Sequence, residues 1–357
     1  MTDIKGYRVK IDELDRKIVE LLNARAEMAV EIGNIKSQEG KEVYDAKREV
    51  EVMKNLKKAN RLIPDESLRS IYREIISASR SLEKRDVVAF LGPEGTFSHE
   101  AAITVFGSSC EFLPVSDFET IFSEVEKGNA MFGVIPVENS IEGIVPRTLD
   151  LLAESNLLIS AEISIKANQN LVSKEKSISS VKKLFSHPQP LGQCRKFILK
   201  NLQGVEVKET PSTSAAAKLA SKTKNSAALA SLTASRIYGL NVLKRNVQDH
   251  SNSMTRFLVV SRLPSGKPAE GVRTRTSIAF KLKNKPGELY RVLGIFEKNS
   301  INLTKIASRP VPSDTWGYVF YLDFEGHRDE KITASALDEL AQIADDLKIF
   351  GSYPMEQ

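Results

Sequence analysis

The first 85 residues carry apolar side chains at helical spacing. Between Leu14 and Ile32 the apolar positions fall on one stripe, which is typical of an amphipathic helix that buries one face. The pattern predicts helices over residues 7–39, 45–60 and 64–84. At 1.5 Å per residue the first helix would be about 50 Å long, whereas a compact domain of this size is about 30 Å across. We therefore expect a second copy of the chain to cover this helix.

From Asp86 the pattern changes to short apolar strands that alternate with glycine turns and helices. The stretch "VVAFLGPEGTFSHEAAITVF" predicts a strand, a turn and a helix, with Ser98 as the helix N-cap. This alternation continues to the strand "RFLVVSR" and predicts an α/β region with a mostly parallel sheet. A linker rich in proline and glycine follows at residues 263–273.

From Thr276 the predicted order is strand, helix, strand, strand, helix, strand. This βαββαβ order is that of a ferredoxin-like α+β unit. The sequence thus predicts a multidomain chain, with an all-α three-helix domain over 1–85, an α/β domain over 86–265 and an α+β domain over 274–357.

Composition narrows the functions open to this chain. A net charge of +5, from 51 basic and 46 acidic residues in 357, is too small for a general nucleic-acid surface. The two cysteines form no metal or redox motif, and the four histidines are scattered. The N-terminus is too polar for a signal peptide, and no apolar run is long enough to span a membrane. We expect a cytoplasmic protein without a metal, and without nucleic acid or membrane as a partner.

Charged residues interrupt the apolar stripes of the first three helices. Arg25 and Lys36 are eleven residues apart and share one helix face. The third helix places Ser79 and Glu83 on its apolar stripe, and the second begins with Asp45, Arg48 and Glu49. Buried unpaired charge is costly, so these groups either form a salt-bridge network or surround a ligand. The cations outnumber what the nearby acids need, which favours a small dianion.

The stretch "DELDRKIVELLNARAEMAVEIGNIK…YDAKRE" closely resembles the all-helical class of chorismate mutases. These are interlocked dimers that rearrange chorismate to prephenate. The resemblance implies that Arg25 and Arg48 hold the two substrate carboxylates. It also implies that Lys36 donates to the ether oxygen and that Glu49 accepts from the ring hydroxyl. It also implies that Arg8 reaches into the partner subunit's site. The residues that match the family's site are Arg8, Arg25, Lys36, Asp45, Arg48, Glu49, Ser79 and Glu83.

Five motifs of the middle region together resemble prephenate dehydratase. They are "GPEGTFSHEAA", "IPVENSIEG", "SHPQPLGQC", "STSAAAKLA" and "SMTRF". The resemblance implies two α/β lobes like those of a type II periplasmic binding protein, with the site in the cleft. It also implies loss of water and CO2 to give phenylpyruvate, with Thr255 at the leaving hydroxyl. The matching polar residues are Glu138, Asn139, Ser186, Gln193, Thr255 and Arg256.

The last region resembles an ACT domain of the kind that senses phenylalanine. The resemblance rests on "NKPGELYRVLGIF" and "LTKIASRPVPSDTWGYVFYLDFEG". This chain has Ala307 where the family often has glutamate, which leaves the strength of phenylalanine binding open. The residues expected to bind the effector are Gly287, Glu288, Leu289, Ser308, Arg309, Pro310 and Trp316.

Taken together, the chain resembles the bifunctional chorismate mutase–prephenate dehydratases of phenylalanine biosynthesis. Chorismate and prephenate are then the expected substrates, phenylalanine the feedback effector, and a homodimer or homotetramer the assembly. No cofactor is expected, because a pericyclic rearrangement needs only a well-held substrate. Two alternatives stay open at this point: an arogenate dehydratase with a mutase domain, and a non-catalytic protein that senses amino acids.

Overall fold

The computed structural model describes residues 4–38, 46–83, 86–250, 253–266, 271–310 and 317–355. These residues divide into two compact units. The first unit contains the residues up to Asp86 together with residues 105–111, and the second contains residues 87–104 and 112 onward. No helix among the described residues has the length and apolar character needed to cross a bilayer.

The first unit is helical, as the sequence predicts. Its helices are α1 (Ile4–Gln38), α2 (Ala46–Ala59) and α3 (Asp65–Glu83). Helices α1 and α3 approach closely at Gly33, where a Cβ atom would lie only 2.8 Å from the Cγ atom of Glu83. A residue without a side chain at position 33 therefore lets α1 cover Glu83.

Helix α1 keeps an apolar face in water when one chain is considered alone. Six large apolar side chains along this face are 52–70% exposed, and they are Leu14, Ile18, Leu21, Met28, Ile32 and Ile35. A continuous apolar face of this length is typical of a protein–protein interface. The expectation that a second copy covers the helix stays a prediction.

The second unit begins with a lobe built around a mixed sheet. The strands are β1 (Val87–Leu91), β2 (Glu111–Val115), β3 (Phe132–Asn139), β4 (Gly143–Ile144), β5 (Leu158–Lys166) and β11 (Met254–Ser261). The helices are α4 (Phe97–Phe106), α5 (Phe118–Lys127) and α6 (Pro146–Glu154). The sheet order is β2–β1–β3–β11–β5, with β4 paired to β3.

A second lobe lies between β5 and β11 in the sequence. Its strands are β6 (Asn170–Ser173), β7 (Lys183–Ser186), β8 (Glu206–Glu209), β9 (Ser226–Ala230) and β10 (Asn241–Lys244), in the order β10–β6–β9–β7–β8. Its helices are a short 3-10 helix (Ile178–Ser180), α7 (Pro188–Gln193), α8 (Arg195–Asn201), α9 (Thr213–Ala220) and α10 (Leu232–Ile237). The expectation of two α/β lobes is confirmed.

Two local predictions for this region are wrong. Both sheets are mixed. In the first lobe β11 returns from the second lobe and runs antiparallel to both β3 and β5, and in the second lobe β6 runs antiparallel to β9 and β10. Helix α4 begins at Phe97, one residue before the predicted N-cap Ser98. The hydroxyl of Thr96 accepts a hydrogen bond from the His99 N–H at 3.3 Å, and it therefore caps the helix.

The described residues between Thr274 and Pro354 form the predicted βαββαβ unit. Its elements are β12 (Thr274–Lys281), α11 (Glu288–Lys298), β13 (Leu303–Pro310), β14 (Tyr318–Glu325), α12 (Lys331–Ile343) and β15 (Asp346–Pro354). The sheet order is β13–β14–β12–β15. One face of this sheet packs on the first lobe, where Tyr321 and Phe350 share a core with Leu149 and Leu258.

Candidate functional site

The first cluster of candidate residues joins α1 to α3. The Arg25 guanidinium donates to the Ser79 hydroxyl at 2.5 Å, and that hydroxyl donates to the Ile75 carbonyl oxygen at 2.9 Å. Ser79 is buried. The serine therefore fixes the direction of the Arg25 fork, which suits a residue that must hold a carboxylate.

Glu83 lies in the same cluster. Its Oε2 atom is buried and has no hydrogen-bond partner among the described residues. Burial raises the pKa of the Glu83 carboxyl, Lys36 and the nearby arginines lower this pKa, and the net shift is upward. The structure thus brings Arg25, Lys36, Ser79 and Glu83 together, and we call them the α1–α3 cluster.

Helix α2 brings further candidates to α3. The Glu49 carboxylate forms an ion pair with Arg80 at 3.2 Å, and the exposed Arg48 lies 3.5 Å from Glu51. Arg8 is exposed on α1. It is seventeen residues before Arg25, which is about 25 Å along a helix, so it cannot join the cluster of its own chain. Asp45 lies outside the described residues.

The second candidate site centres on Thr255 and Asn139. These residues are direct partners on the antiparallel strands β11 and β3, and the Asn139 amide donates to the Thr255 hydroxyl at 2.8 Å. The other end of this amide is also fixed, because its Oδ1 atom accepts from the N–H groups of Ile141 at 2.9 Å and Glu142 at 3.2 Å. The Thr255 hydroxyl accepts from the amide and keeps its own proton for a further acceptor.

Both lobes line a cavity of about 310 Å³ next to this pair. Thr255, Asn139 and Gln193 line it, as do the first residues of α4 and α9. Ser186, at the end of β7, is fully buried, and its hydroxyl has no hydrogen-bond partner in the part of the chain that the structure describes. The lobes also touch directly, since the Gln189 amide donates to the Glu142 carboxylate at 2.5 Å.

Sequence reasoning missed Gln169 and the two helix ends. Gln169 lines the cavity and is 2% exposed, and its buried Oε1 atom has no hydrogen-bond partner within the described ranges. The N-termini of α4 and α9 contribute Thr96 and Ser212 to the same wall. Helix N-termini carry unpaired N–H groups that suit carboxylates. Ser212 begins the motif "STSAAAKLA" quoted above, and this motif was the sequence signal from which the N-terminus of α9 could have been assigned to the site.

The structure does not bring Glu138 and Arg256 to the cleft. Successive residues of a strand point to opposite sheet faces, so both lie behind the Thr255–Asn139 pair. The Arg256 guanidinium donates to Glu162 at 2.8 Å and to Asp323 of β14 at 2.7 Å. Glu138 pairs with Lys305 of β13 at 3.0 Å. These two residues therefore tie the first lobe to the last domain, and the assignment of both to the catalytic cleft is corrected.

The expected effector residues lie at two places in the last domain. Gly287 has a left-handed backbone (φ 89°) and precedes α11, which begins with Glu288 and Leu289. Ser308, Arg309 and Pro310 end the edge strand β13. Arg309 forms an ion pair with Asp150 of the first lobe at 3.2 Å. Trp316 lies outside the described residues.

No group of three or more His, Cys, Asp or Glu side chains in the described ranges is placed to hold a metal ion.

Models of known families match the chain in three parts. Chorismate mutase type II matches residues 7–84, prephenate dehydratase matches 88–265 and the ACT domain matches 276–342. A bifunctional chorismate mutase/prephenate dehydratase from Aquifex aeolicus is 43% identical over 362 residues, which is 99% of this chain and 98% of that protein.

Solved structures match about three quarters of the chain. A prephenate dehydratase from Arthrobacter aurescens in complex with L-Phe has 30% identity and a TM-score of 0.68, and the match covers 75% of this chain and 90% of that one. A structure described as a novel type of quorum quenching acylase has 30% identity and a TM-score of 0.69, covering 76% and 98%. The fold therefore occurs with more than one activity, and the site residues must carry the assignment.

The helical unit, the two-lobed cleft and the ACT domain define a multidomain enzyme that combines a mutase fold with a dehydratase fold. The chain belongs to the bifunctional chorismate mutase/prephenate dehydratase family.

Proposed function

We propose that this chain rearranges chorismate to prephenate in its helical domain and converts prephenate to phenylpyruvate in the cleft. Residues 1–85 would carry the first activity, 86–265 the second and 274–357 the response to phenylalanine. The observation that carries the proposal is the presence, on one chain, of the α1–α3 cluster and the Thr255–Asn139 pair. Mixing the protein with chorismate should give phenylpyruvate. Accumulation of prephenate alone, or no turnover, would contradict one or both activities.

The mutase reaction needs a site that holds a dianion in its reactive conformation. Arg25 and Arg48 would bind the two carboxylates through charge-assisted hydrogen bonds. Lys36 and a protonated Glu83 would donate to the ether oxygen, which gains negative charge as its C–O bond breaks. Glu49 would accept from the ring hydroxyl. No residue forms a bond to the substrate, and no cofactor takes part.

We expect mutase activity to fall as pH rises through the raised pKa of Glu83. Only the protonated carboxyl can donate, and the ionised form would repel the developing charge. Because burial raises this pKa, the acid form persists above the usual range of a glutamate. Glu83→Gln supplies a permanent donor and should flatten the alkaline side of the kcat/KM profile for chorismate.

The control for this experiment is Glu66→Gln, at the exposed start of the same helix. It should keep the parent profile. A parent profile as flat as that of Glu83→Gln, or an inactive Glu83→Gln, would show that Glu83 does not donate to the ether oxygen.

The dehydratase reaction breaks two bonds of prephenate. The C–CO2 bond gives its electron pair to the ring, and the ring C–O bond breaks as the hydroxyl leaves with a proton as water. Thr255 would donate a hydrogen bond to that hydroxyl, because its oxygen already accepts from Asn139. Amide and hydroxyl donors such as Gln193 and Ser186 would hold the carboxylates without placing a fixed charge beside the departing CO2.

Two other readings predict different results in the same assays. An arogenate dehydratase would turn over arogenate faster than prephenate, so both substrates should be compared at equal concentration. A non-catalytic sensor would show a thermal shift with phenylalanine and no turnover of chorismate or prephenate.

The assembly is proposed to be a homodimer or homotetramer built on the apolar face of α1. Six of the large side chains on this face are at least 52% exposed in one chain, and they are Leu14, Ile18, Leu21, Met28, Ile32 and Ile35. Sedimentation equilibrium should give an even number of chains, and a stable monomer would contradict the proposal.

Residence in the cytoplasm is part of the proposal and is supported by two free thiols, Cys110 and Cys194.

Phenylalanine is proposed to bind the ACT domain and to inhibit the dehydratase. Strand β13 carries Ser308 and Arg309 and also Lys305, which pairs with Glu138. Glu138 precedes Asn139, whose amide holds Thr255. An effector that moves β13 would therefore act close to the catalytic hydroxyl.

We expect Asp150→Asn to weaken inhibition by phenylalanine about 5- to 10-fold, because it removes the carboxylate that pairs with Arg309. The measurement is dehydratase rate against phenylalanine concentration. Glu154→Gln is the control, since Glu154 lies on the same helix and faces Arg147 instead. Equal inhibition of both variants and the parent would exclude the Arg309–Asp150 pair from the coupling.

A further inference from the structure

Arg80 is a buried cation that the mutase roles given above do not use. Its side chain is 7% exposed, and its Nη1 atom lies 3.2 Å from the Glu49 carboxylate. Its Nη2 atom donates to the Phe106 carbonyl oxygen at 2.8 Å, and the guanidinium lies 5.7 Å from the centre of the Phe106 ring. Arg80 therefore links Glu49 to Phe106.

Phe106 is the last residue of α4 and belongs to the 105–111 segment, which is part of the helical unit although it follows α3 by more than twenty residues. This segment is bound to α3 by short polar contacts. The Ser108 hydroxyl donates to Glu74 at 2.5 Å, and the Ser109 N–H donates to the Ser77 hydroxyl at 3.1 Å. The chorismate mutase model ends at residue 84, so the segment lies outside it.

Gly107 lets the segment sit this close to α3. Its backbone is left-handed (φ 76°), and a Cβ atom there would lie 2.4 Å from the Cβ atom of Ser77. Any side chain at position 107 must push the segment away from α3. That movement would withdraw the Phe106 carbonyl and ring from Arg80.

We propose that Arg80 is a positioning residue of the mutase site, and that the 105–111 segment holds Arg80 in place. The inference rests on the proposed role of Glu49 as acceptor for the ring hydroxyl of chorismate. An acceptor carboxylate must be ionised and correctly aimed. A buried guanidinium provides a fixed charge and a rigid fork of donors for both purposes.

The first experiment compares Arg80→Gln, Arg80→Lys and Glu49→Gln in the full chain. Arg80→Gln should lower kcat/KM for chorismate about 10- to 100-fold, which is the usual effect of a misplaced catalytic group. The acid limb of the kcat/KM profile of Arg80→Gln should move to higher pH, because the Glu49 carboxylate takes up a proton more readily without its neighbouring cation. Arg80→Lys keeps the charge and should restore the parent pH profile and part of the rate. Turnover of added prephenate should stay at the parent rate in all three variants.

The second experiment compares Gly107→Ala with Gly204→Ala. Both glycines have left-handed backbones, with φ of 76° and 74°, but a Cβ atom at Gly204 would meet nothing within 4 Å. The two variants thus carry similar backbone strain, and only the first has a steric conflict with α3. Gly107→Ala should lower mutase activity about 10-fold or more. Gly204→Ala should leave it unchanged.

The outcomes separate the inference from the function on which it rests. If Glu49→Gln keeps the parent mutase rate, the role of Glu49 is wrong and the inference falls with it. If Glu49→Gln is impaired while Arg80→Gln and Gly107→Ala keep the parent rate and pH profile, the inference is overturned and the proposed function stands. Equal loss of both activities in Gly107→Ala would indicate general misfolding. Arg80→Gln then decides alone, and a mutase rate and pH profile equal to those of the parent would overturn the inference.

Discussion

Replacing Arg25 with alanine should abolish the conversion of chorismate while the chain still consumes added prephenate. Arg25 is held by Ser79 in the α1–α3 cluster and would bind a substrate carboxylate. Truncating one partner of a buried charged hydrogen-bonded pair costs about 2–5 kcal/mol, and each 1.36 kcal/mol is about tenfold in rate. We therefore expect mutase kcat/KM to fall roughly 30- to 5,000-fold. The two rates should be measured on the same preparation.

Arg16→Ala is the matched control for this variant. Arg16 is an exposed arginine of the same helix, and its Nε atom donates to the carbonyl oxygen of Asp12 at 3.4 Å. It should keep both activities. Mutase activity that survives Arg25→Ala, or is lost equally in Arg16→Ala, would remove Arg25 from the site.

Thr255→Val should have the opposite effect and cause prephenate to accumulate from chorismate. Valine keeps the shape of the side chain and removes the hydroxyl that Asn139 orients. The loss of one donor aimed at developing charge lowers rates about 100- to 1,000-fold. Dehydratase kcat should fall by this factor, with a smaller change in KM, because the contact strengthens as the hydroxyl leaves.

The control for Thr255→Val is Ser261→Ala at the far end of the same strand. The Ser261 hydroxyl donates to the Leu263 carbonyl oxygen at 2.7 Å and does not line the cavity. Ser261→Ala should leave the dehydratase rate unchanged. Phenylpyruvate formation at the parent rate by Thr255→Val would show that Thr255 does not assist the leaving hydroxyl.

The sequence by itself determined the elements whose signals are local. Helical spacing of apolar residues predicts α1, α2 and α3 within about three residues of their observed bounds. The strand and helix order of the last domain was equally legible, because period-2 and period-3.6 patterns repeat within a few residues. Short motifs also placed Thr255 and Asn139 among the candidates, although neither motif indicates that these two residues are neighbours in the folded chain.

The tertiary structure decided what depends on contacts between distant parts of the chain. Thr255 and Asn139 are 116 residues apart and meet only because β11 returns antiparallel to β3. That pairing also directs Arg256 and Glu138 to the opposite face, toward the ACT domain. The alternation of side chains along a strand could have indicated that Arg256 and Glu138 lie on the opposite face from Thr255 and Asn139. It could not have indicated which of the two faces lines the cleft.

The same distinction holds in the helical unit. The sequence places Glu83 on the apolar stripe of α3, but the upward shift of its pKa arises from its burial, and α1 approaches this side chain at Gly33. Likewise, the charge of Arg80 is evident from the sequence. Its contact with Phe106 depends on the 105–111 segment, which packs against α3 at Gly107. Local patterns fix which residues are apolar, charged or helical. Burial and pairing are set by neighbours far along the chain, and only the folded molecule specifies them.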